Sequence, residues 1–536
     1  MQRMTLFDEP KEDKKLVSLK AASAWATKYL GKKITVSNIA YLIQYGRIKR
    51  YERNGNPLIN LDELKNYYDA FSIIKKWKKI LGEDINWHLS FSQYSEKERT
   101  KHVHRLHPYK GKFIPQLVEY FLDSHTDAFK KDCYFQKGDI VLDPFCGSGT
   151  TLVQANELGV HAIGIDISYF NTLISNIKIK RHNLSLIANT ISEFTTKLVD
   201  FQKTQNNKIF EEHLLLELSK FNEKYFPTPD YKIKVANKII DEKVYSKEKE
   251  QQFLKIFYEL VDRYQIKIKQ DHNNTFLNTW FTYPVRQEID FIAQLIKKIE
   301  NRDLKDVMTL ILSRTARSCR ATTHADLATL KDPVFTTYYC KKHGKICKPI
   351  FSILNWWKVY TIDTLKRFKE FDRIRTDTFQ ICLTGDSRTI DIFEEIKKID
   401  PVFAEKLLKQ KIKGIFSSPP YVGLINYHEQ HAYAYEIFNF ERKDELEIGP
   451  LFKGQNEEAK ISYIKGISAV LKNCKKYLTD DFDIFLVAND KFNLYPQIAE
   501  LSGMKIINQF KRPVLNRVEK DRENPYAESI FHLKNK

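Results

Sequence analysis

The sequence lacks the marks of a secreted or membrane protein. Its 536 residues contain seven cysteines, which are scattered and odd in number, and this argues against a disulfide framework. No apolar run approaches the ~20 residues that a membrane helix needs. The opening MQRMTLFDEPKEDKKL has no apolar segment of the kind found in signal peptides. We therefore expect a reduced, intracellular, cytoplasmic protein with no membrane partner.

Acidic residues are outnumbered by basic ones. Lys and Arg total 87 and Asp and Glu total 68, so the formal net charge is 87 − 68 = +19. This balance on a long chain favours a polyanionic partner, with nucleic acid as the first candidate and an acidic membrane surface as the second. The chain is also too long for one hydrophobic core, and we expect two to four domains.

The first part of the chain carries helix and hairpin signals. Residues 1–15 are a predicted charged tail, and residues 16–75 are a predicted unit of helix, helix, hairpin and helix, with Ser37 capping the second helix. This order resembles the excisionase-like winged helix-turn-helix. The resemblance implies DNA contacts, for which Arg50 and Arg53 on the basic hairpin are candidates. The alternative is a small structural domain with a solvated basic edge.

An α/β pattern follows in two separated stretches. Residues 76–100 are a predicted linker. Short buried strands alternate with helices over 101–180 and again over 376–536, which predicts a parallel sheet. The Lys-rich residues 181–375 between them show mostly helical patterns. We therefore predict one α/β domain that is interrupted by a long helical insertion.

Residues 141–168, VLDPFCGSGTTLVQANELGVHAIGIDIS, gather carboxylates and glycines around one strand–helix–strand unit. Asp143 ends the first strand and Asp166 ends the second, where a carboxylate can accept both hydroxyls of a ribose. Gly147 and Gly149 permit a sharp turn and a close approach of a ligand to the backbone. The third glycine of the dinucleotide fingerprint is missing, so a pyrophosphate site is not implied.

The pattern D-P-F-x-G-x-G-T-T, with G-I-D after one helix, resembles the S-adenosylmethionine site of amino-methyltransferases that act on nucleic acid. The resemblance implies a Rossmann-like, S-adenosylmethionine-dependent methyltransferase sheet. It assigns the cofactor site to Asp143, Phe145, Gly147, Gly149, Thr150 and Asp166. Asp386, in LTGDS, is a further candidate near the cofactor adenine, and the alternative is an ordinary turn residue.

A second motif ends a predicted strand at GIFSSPPY, residues 414–421. A strand that stops at Pro-Pro is common by itself. The tetrad Ser418, Pro419, Pro420 and Tyr421 resembles the catalytic [D/N/S]-P-P-[Y/F] element of the same enzymes. The resemblance implies that Ser418 and the Pro419 carbonyl accept hydrogen bonds from an exocyclic amine, and that Tyr421 stacks on a base extruded from the duplex.

The glycine motif precedes SPPY, with the long insertion between them, which is the order of the group called alpha. In that group the insertion carries target recognition. Arg314, Arg317 and Arg320 recur within it at helical spacing and could reach phosphates or guanine. The alternative is a solvated basic helix face.

The resemblance implies a site-specific methyltransferase for double-stranded DNA. Serine at the first catalytic position favours cytosine-N4, with adenine-N6 as the alternative. None of the cysteines follows a proline, so we reject the thiolate chemistry of cytosine-C5 enzymes. An RNA methyltransferase and a non-catalytic DNA-binding regulator are further alternatives. The implied setting is a prokaryotic restriction–modification system, associated with the nucleoid, with a separately encoded restriction endonuclease as partner.

The segment YYCKKHGKIC has no counterpart in this resemblance. Cys340, His343 and Cys347 lie close enough in sequence to share a zinc ion, and Cys319 could complete the site. The two ligand pairs of the usual structural zinc spacing are missing, however. Buried or incidental cysteines are the favoured interpretation, and we predict no metal.

Overall fold

The computed structural model describes residues 16–536, apart from 45–47, 54, 71–72, 83–84, 92–93, 95, 110, 128, 325–329 and 515–525, and apart from the side chains of residues 53, 69–76 and 96. The described strands are β1 (Leu16–Ser18), β2 (Tyr51–Arg53), β3 (Asn56–Asn60), β4 (Ile140–Asp143), β5 (His161–Asp166), β6 (Tyr338–Cys340), β7 (Lys345–Cys347), β8 (Gln380–Thr384), β9 (Ile412–Ser417), β10 (Leu478–Ala488), β11 (Met504–Pro513) and β12 (Ala527–Asn535).

The described α-helices are α1 (Leu19–Leu30), α2 (Val36–Gln44), α3 (Leu61–Ala70), α4 (Ile73–Leu81), α5 (Glu96–Arg99), α6 (Pro115–Leu122), α7 (Thr150–Leu158), α8 (Tyr169–Ile179), α9 (Leu184–Lys203), α10 (Asn207–Tyr225), α11 (Asp230–Ala236), α12 (Glu242–Tyr264), α13 (Phe276–Trp280), α14 (Tyr283–Lys297), α15 (Arg302–Ser318), α16 (Leu354–Asp372), α17 (Ile392–Ile399), α18 (Pro401–Gln410), α19 (Ala432–Phe438), α20 (Glu457–Lys475) and α21 (Tyr495–Leu501). None of these described helices combines the length and the hydropathy of a bilayer-spanning segment.

The N-terminal helices pack on a small antiparallel sheet. Among the residues described there, β3 lies between β1 and β2 and pairs with both. Apolar side chains from α1, α2 and β3 form a common core. The predicted cap at Ser37 is wrong, because α2 already begins at Val36. The Thr35 hydroxyl accepts the N–H of Asn38 at 3.2 Å instead.

The main sheet is predominantly parallel. Within the described residues its seven strands lie in the order β11–β12–β10–β9–β4–β5–β8. Strands β8, β5, β4, β9 and β10 are parallel to their neighbours in that series, whereas β12 is antiparallel to β10 and β11. The predicted α/β class with a large parallel sheet is confirmed.

The order of the strands reverses beside β4. From β4 the chain builds outward through β5 to β8, and it then returns to the other side of β4 to form β9 and β10. In open α/β sheets, ligands bind outside the carboxyl ends of the strands at such a reversal. The residues that follow Asp143 in β4 and Ser417 in β9 therefore lie where a ligand is expected.

The described chain divides into two compact units. The first unit has its own apolar cluster between α10, α12 and the β6–β7 hairpin, and the second contains the main sheet. The division runs through the predicted insertion at 181–375, and the boundaries drawn from the sequence stay predictions. The first unit takes the described residues of Met1–Gly82, Gln205–Ile268 and Ala321–Phe351, and the second those of Glu83–Thr204, Lys269–Arg320 and Ser352–Lys536.

Strands β9 and β10 approach closely where Gly414 pairs with Asp483. A Cβ atom on residue 414 would lie 2.0 Å from the Asp483 carbonyl oxygen. A backbone oxygen in a buried sheet cannot rotate away as a side chain can, so the position requires glycine. This contact sets the path of the strand that delivers the SPPY motif.

We expect Gly414→Ala to destabilise the protein by about 3 kcal/mol, at the upper end of the usual cost of overpacking. Urea denaturation at neutral pH measures the loss. Lys413→Ala, which removes a partly exposed side chain from the same strand, is the control, and its cost should stay below about 1 kcal/mol. Equal stabilities of the two variants would contradict the close approach at Gly414.

Candidate active site

The loop after β4 is a tight turn that requires glycine. Gly147 and Gly149 have φ values of +53° and +76°, in the left-handed region that glycine adopts without strain. A Cβ atom at Gly147 would lie 3.0 Å from the Tyr109 ring, and one at Gly149 would lie 2.9 Å from the Ser175 hydroxyl oxygen. Helix α7 begins directly after the loop, so the free backbone amides of its first turn point toward the loop.

Asp166, the last residue of β5, holds this loop in place. Its carboxylate accepts the backbone N–H of Gly147 at 2.8 Å and that of Ser168 at 2.9 Å. The side-chain amide of Asn171 donates to the same carboxylate at 3.0 Å. Burial raises the pKa of Asp166 to about 6, against these hydrogen bonds, which lower it. The carboxylate is therefore mainly ionised above neutral pH.

Asp143 links the glycine loop to β9. Its side chain is buried and accepts the Ser417 hydroxyl at 2.5 Å and the Phe145 backbone N–H at 3.2 Å. Burial raises the pKa of Asp143 to about 6, while the hydrogen bond from Ser417 acts in the opposite direction. Strands β4 and β9 are also adjacent in the sheet, so this bond joins the two loops that carry the motifs.

The SPPY residues follow β9 directly. The Ser418 hydroxyl is partly exposed and donates to the Val487 carbonyl of β10 at 3.1 Å. A hydroxyl has one proton, so this donation leaves the oxygen to act as an acceptor. The Tyr421 hydroxyl donates to the Glu528 carboxylate of β12 at 2.9 Å. The motif is thus fixed at both ends to the sheet.

A pocket opens beside Tyr421 at the carboxyl ends of β9 and β10. We call it the Tyr421 pocket. It combines aromatic rings with polar side chains. Its lining consists of Tyr421, Val422, Leu424, Gln455, Tyr463, Ala488, Asn489, Asp490, Lys491, Phe492, Leu494 and Tyr495.

The LTGDS turn after β8 lies against the same loop. The Gly385 N–H donates to the Asp166 carbonyl at 3.0 Å, and the Ser387 hydroxyl donates to the Pro144 carbonyl at 2.7 Å. The carboxylate of Asp386 accepts from the Arg388 guanidinium, with the shortest contact at 2.6 Å. The turn is therefore positioned beside the glycine loop, while Asp386 already has a cationic partner.

The other two predicted cofactor residues differ in exposure. Thr150 is buried at the start of α7. Phe145 is partly buried and packs against the core of the sheet.

The predicted DNA-contacting arginines are largely engaged by protein. Arg314 is buried, pairs with Asp363 at 2.6 Å and lies over the Tyr360 ring. Arg320 is also buried and donates to the Arg317 carbonyl at 2.8 Å. Arg314 and Arg320 are buried and therefore do not belong to a solvated helix face, whereas Arg317 is partly exposed. Contact of Arg314 and Arg320 with DNA stays a prediction. It would require each of them to give up its present protein partner.

Two of the predicted DNA contacts, Arg50 and Arg53, lie in the first unit. Arg50 is exposed on the segment before β2 and pairs with Glu52. The side chain of Arg53 lies outside the described residues. The candidate role of both in contacting phosphate stays a prediction.

Two side chains at this site did not emerge from the sequence. Tyr109 places its ring against Gly147 and stacks on the buried His431 ring, with 5.9 Å between the ring centroids. Ser417 supplies the hydrogen bond to Asp143. Tyr109 lies in HPYKG, where an aromatic residue between Pro and Gly is a weak signal. Ser417 directly precedes the recognisable SPPY motif and is not part of it, so the motif gave no reason to select this residue.

Comparisons with known proteins identify the family of this chain. A family model described as DNA methylase matches residues 24–176. The type II methyltransferase M.MjaII of Methanocaldococcus jannaschii is 48% identical over 530 residues, which cover 97% of this chain and 97% of that protein. The type II methyltransferase M.BsoBI of Geobacillus stearothermophilus is 32% identical over 99 residues, 18% of each chain. M.MvaI of Kocuria varians, also a type II methyltransferase, is 34% identical over 131 residues, 24% of this chain and 26% of that protein. The chain belongs to the type II DNA methyltransferases.

Enzymes of this family take the methyl group from S-adenosylmethionine. The residues at the reversal of strand order fit this cofactor. Asp166 ends β5 with a partly exposed carboxylate that can accept from hydroxyl or ammonium groups, whereas Asp143 at the end of β4 is buried and bonded to Ser417. The glycine loop after β4 is packed against Tyr109 and Ser175, so side chains added at its glycines would disturb it.

The two adjacent serines offer a matched test of the Asp143 bond. Above pH 6 Asp143 is mainly ionised in the folded protein, and its hydrogen bond with Ser417 is then charge-assisted. We expect Ser417→Ala to cost about 2 kcal/mol at pH 8 and less at pH 5, because losing the hydroxyl raises the folded-state pKa further and penalises the ionised form. Chemical denaturation at both pH values measures the difference.

Ser418→Ala is the control for this experiment. Ser418 donates to a backbone carbonyl, which does not titrate, so the stability cost of its loss should be the same at pH 5 and pH 8. A pH-independent cost for Ser417→Ala as well would contradict the assigned bond between Ser417 and Asp143.

Proposed function

We propose that this protein transfers a methyl group from S-adenosylmethionine to the exocyclic N4 of a cytosine extruded from double-stranded DNA. The single observation that carries the proposal is the bond of Ser417 to Asp143, which brings the SPPY motif beside the glycine loop. Each motif alone is compatible with other functions. Adjacent in one sheet, they form the two halves of a site for an amine acceptor and a sulfonium methyl donor.

The cofactor half of the proposed site is formed by the loops after β4, β5 and β8. We assign Asp166 to the ribose hydroxyls, since it ends β5 with an ionised carboxylate at neutral pH. The rest of the proposed cofactor-binding surface is formed by Asp143, Phe145, Gly147, Gly149 and Thr150. Asp386 faces the adenine in this proposal, with Arg388 as its partner. The bound cofactor supplies an electrophilic methyl group on a sulfonium.

The catalytic half of the proposed site accepts the amine. An exocyclic amine is a weak nucleophile because its lone pair is delocalised into the ring. The Ser418 oxygen and the Pro419 carbonyl accept its two N–H groups and draw the nitrogen toward a tetrahedral geometry. The Ser418 proton is directed at Val487, which supports this acceptor role. With the cofactor bound, the amine would accept the methyl group as the bond from that carbon to sulfur breaks, and the methylated amine would lose one proton to water.

Tyr421 stacks on the extruded base in this mechanism. A base–aromatic stack is worth about 1–3 kcal/mol, which offsets part of the cost of leaving the duplex. The hydrogen bond to Glu528 fixes the plane of the Tyr421 ring before the base arrives. The Tyr421 pocket then receives the base. Pro420 holds the turn between Pro419 and Tyr421, because its ring fixes the backbone.

Serine at position 418 favours cytosine-N4 over adenine-N6, which is the second candidate. Both amines are conjugated to a ring, and the shape of the pocket chooses between them. An RNA substrate and a non-catalytic regulator are weaker candidates, since both motifs are intact.

The remaining parts of the chain recognise DNA in this proposal. Residues 16–75 act as a winged helix-turn-helix, with Arg50 and Arg53 toward phosphates, and the insertion at 181–375 reads the target sequence. The +19 net charge supports a polyanionic substrate. The enzyme is the modification half of a restriction–modification system, with a separately encoded endonuclease, and acts on the nucleoid in the cytoplasm.

The product base is the first test. We expect unmethylated plasmid incubated with the protein and S-adenosylmethionine, then digested to nucleosides, to contain N4-methylcytosine by mass spectrometry. N6-methyladenine would establish the second candidate instead. 5-Methylcytosine would contradict the amine mechanism, and a methylated RNA with unmodified DNA would contradict the substrate class.

Ser418→Ala tests the assigned acceptor. We expect its turnover to fall on the order of 10²-fold or more, as for the loss of one transition-state hydrogen bond, while binding of S-adenosylmethionine and of duplex DNA is unchanged. Ser418→Asn keeps an acceptor oxygen and should recover part of the activity. Single-turnover methylation and equilibrium binding measure the two effects. Full activity of Ser418→Ala would remove this residue from the mechanism.

A further inference from the structure

Four metal-ligating side chains converge in the first unit, outside the methyltransferase site. We call them the cysteine–histidine cluster. One ligand atom from each lies within 4.8 Å of the ligand atoms of all the others. Two thiols and two imidazoles at this spacing are the donor set of a tetrahedral zinc site. The members are His324, Cys340, His343 and Cys347.

The β6–β7 hairpin supplies three of the members. Cys340 pairs with Lys345 across the hairpin, and the Cys340 carbonyl accepts the N–H of His343 at 3.0 Å and that of Gly344 at 2.7 Å. Gly344 has a φ of +64°, which permits the tight return. The turn therefore directs His343 back over the two cysteines, with 3.4 Å between its Nδ1 and the Cys347 sulfur.

This separation matches a shared metal ion. Zinc bonds of about 2.0 Å to nitrogen and 2.3 Å to sulfur, at tetrahedral angles, place neighbouring ligand atoms roughly 3.5 Å apart. The His343–Cys347 pair therefore already has the spacing of zinc ligands, and the other ligand atoms, all within 4.8 Å of one another, would have to move closer to bind the ion.

His324 is the member that sequence spacing did not suggest. Its ring lies against the His343 ring, with centroids 4.4 Å apart, and the Tyr338 hydroxyl lies 2.8 Å from its Nδ1. Metal-binding histidines commonly hold one ring nitrogen with a hydrogen bond and present the other to the ion. Tyr338 thus acts as the outer partner and leaves Nε2 of His324 for the metal.

Packing of the cysteines as buried apolar side chains explains only two of the four members of the cluster. Cys340 and Cys347 pack as buried side chains with Tyr338, and the partly buried Val334 lies against them. That packing gives no reason for two imidazoles to lie against the same pair of thiols. A disulfide between the cysteines would give no reason for them either. Coordination of one ion by all four groups explains the whole arrangement.

We propose that the cysteine–histidine cluster binds one structural zinc ion. All four coordination positions are filled by protein, which is the pattern of structural sites, whereas catalytic zinc keeps one position open. The ion ties the segment at His324 to the β6–β7 hairpin. The hairpin is itself anchored on the helices of the unit, since Asn222 of α10 makes two hydrogen bonds with the Ile346 backbone, at 2.9 and 3.0 Å.

Metal analysis of the full-length protein tests the proposal. We expect about one zinc per chain after dialysis against metal-free buffer, and, with Co²⁺ in place of zinc, the visible bands of a tetrahedral site with thiolate-to-metal charge transfer. Cys340→Ser should weaken zinc binding on the order of 100-fold or more, because it removes an anionic ligand. Competition with a chromophoric chelator measures the affinity.

Two further variants keep the test sharp if Cys340→Ser folds poorly. His324 is exposed, so His324→Gln removes a ligand with little loss of packing and should also weaken binding. Cys133→Ser removes an exposed cysteine of the other unit and should leave the zinc content unchanged. A wild-type protein with less than about 0.1 zinc per chain, or unchanged affinity in both ligand variants, would overturn the proposal.

Discussion

The hydrogen bond between the Ser417 hydroxyl and the Asp143 carboxylate joins the two halves of the proposed active site. Its length of 2.5 Å and its burial make it a charge-assisted bond in a region of low dielectric, where such bonds are strong. The residues lie 274 positions apart in sequence. The reversal of strand order at β4 brings their strands together, and the bond then fixes the two loops that leave those strands.

The other features of the site follow from this junction. Asp166 secures the glycine loop from the β5 side, and Val487 orients the Ser418 hydroxyl from the β10 side. Each supporting group comes from a strand adjacent to β4 or β9, so the sheet positions the groups of the proposed active site. A site built on strands is held more precisely than one built on loops. The long segment between β5 and β8 can therefore vary in size without disturbing the junction.

The sequence predicted the parts of this arrangement that depend on local patterns. Buried strands, the glycine turn and the SPPY motif are contiguous, and each has a recognisable spacing. The contacts that join them were not predictable, because partners such as Asp363 of Arg314 lie far away in the chain. Helical spacing grouped Arg314, Arg317 and Arg320, but it could not show that Arg314 and Arg320 are buried. His324 was not predicted as a ligand for the same reason. Its place in the cysteine–histidine cluster depends on how the hairpin folds back, which sequence spacing does not show.

The most direct measurement is an experimental structure of the protein with S-adenosylhomocysteine and a short duplex that contains the target sequence. The central claim is that the glycine loop and Ser418 are the two halves of one active site. It predicts that the cofactor sulfur faces the Ser418 hydroxyl, with the amine of an extruded base between them. A cofactor bound away from Gly147, or a base held in the Tyr421 pocket with its amine turned away from Ser418, would contradict it.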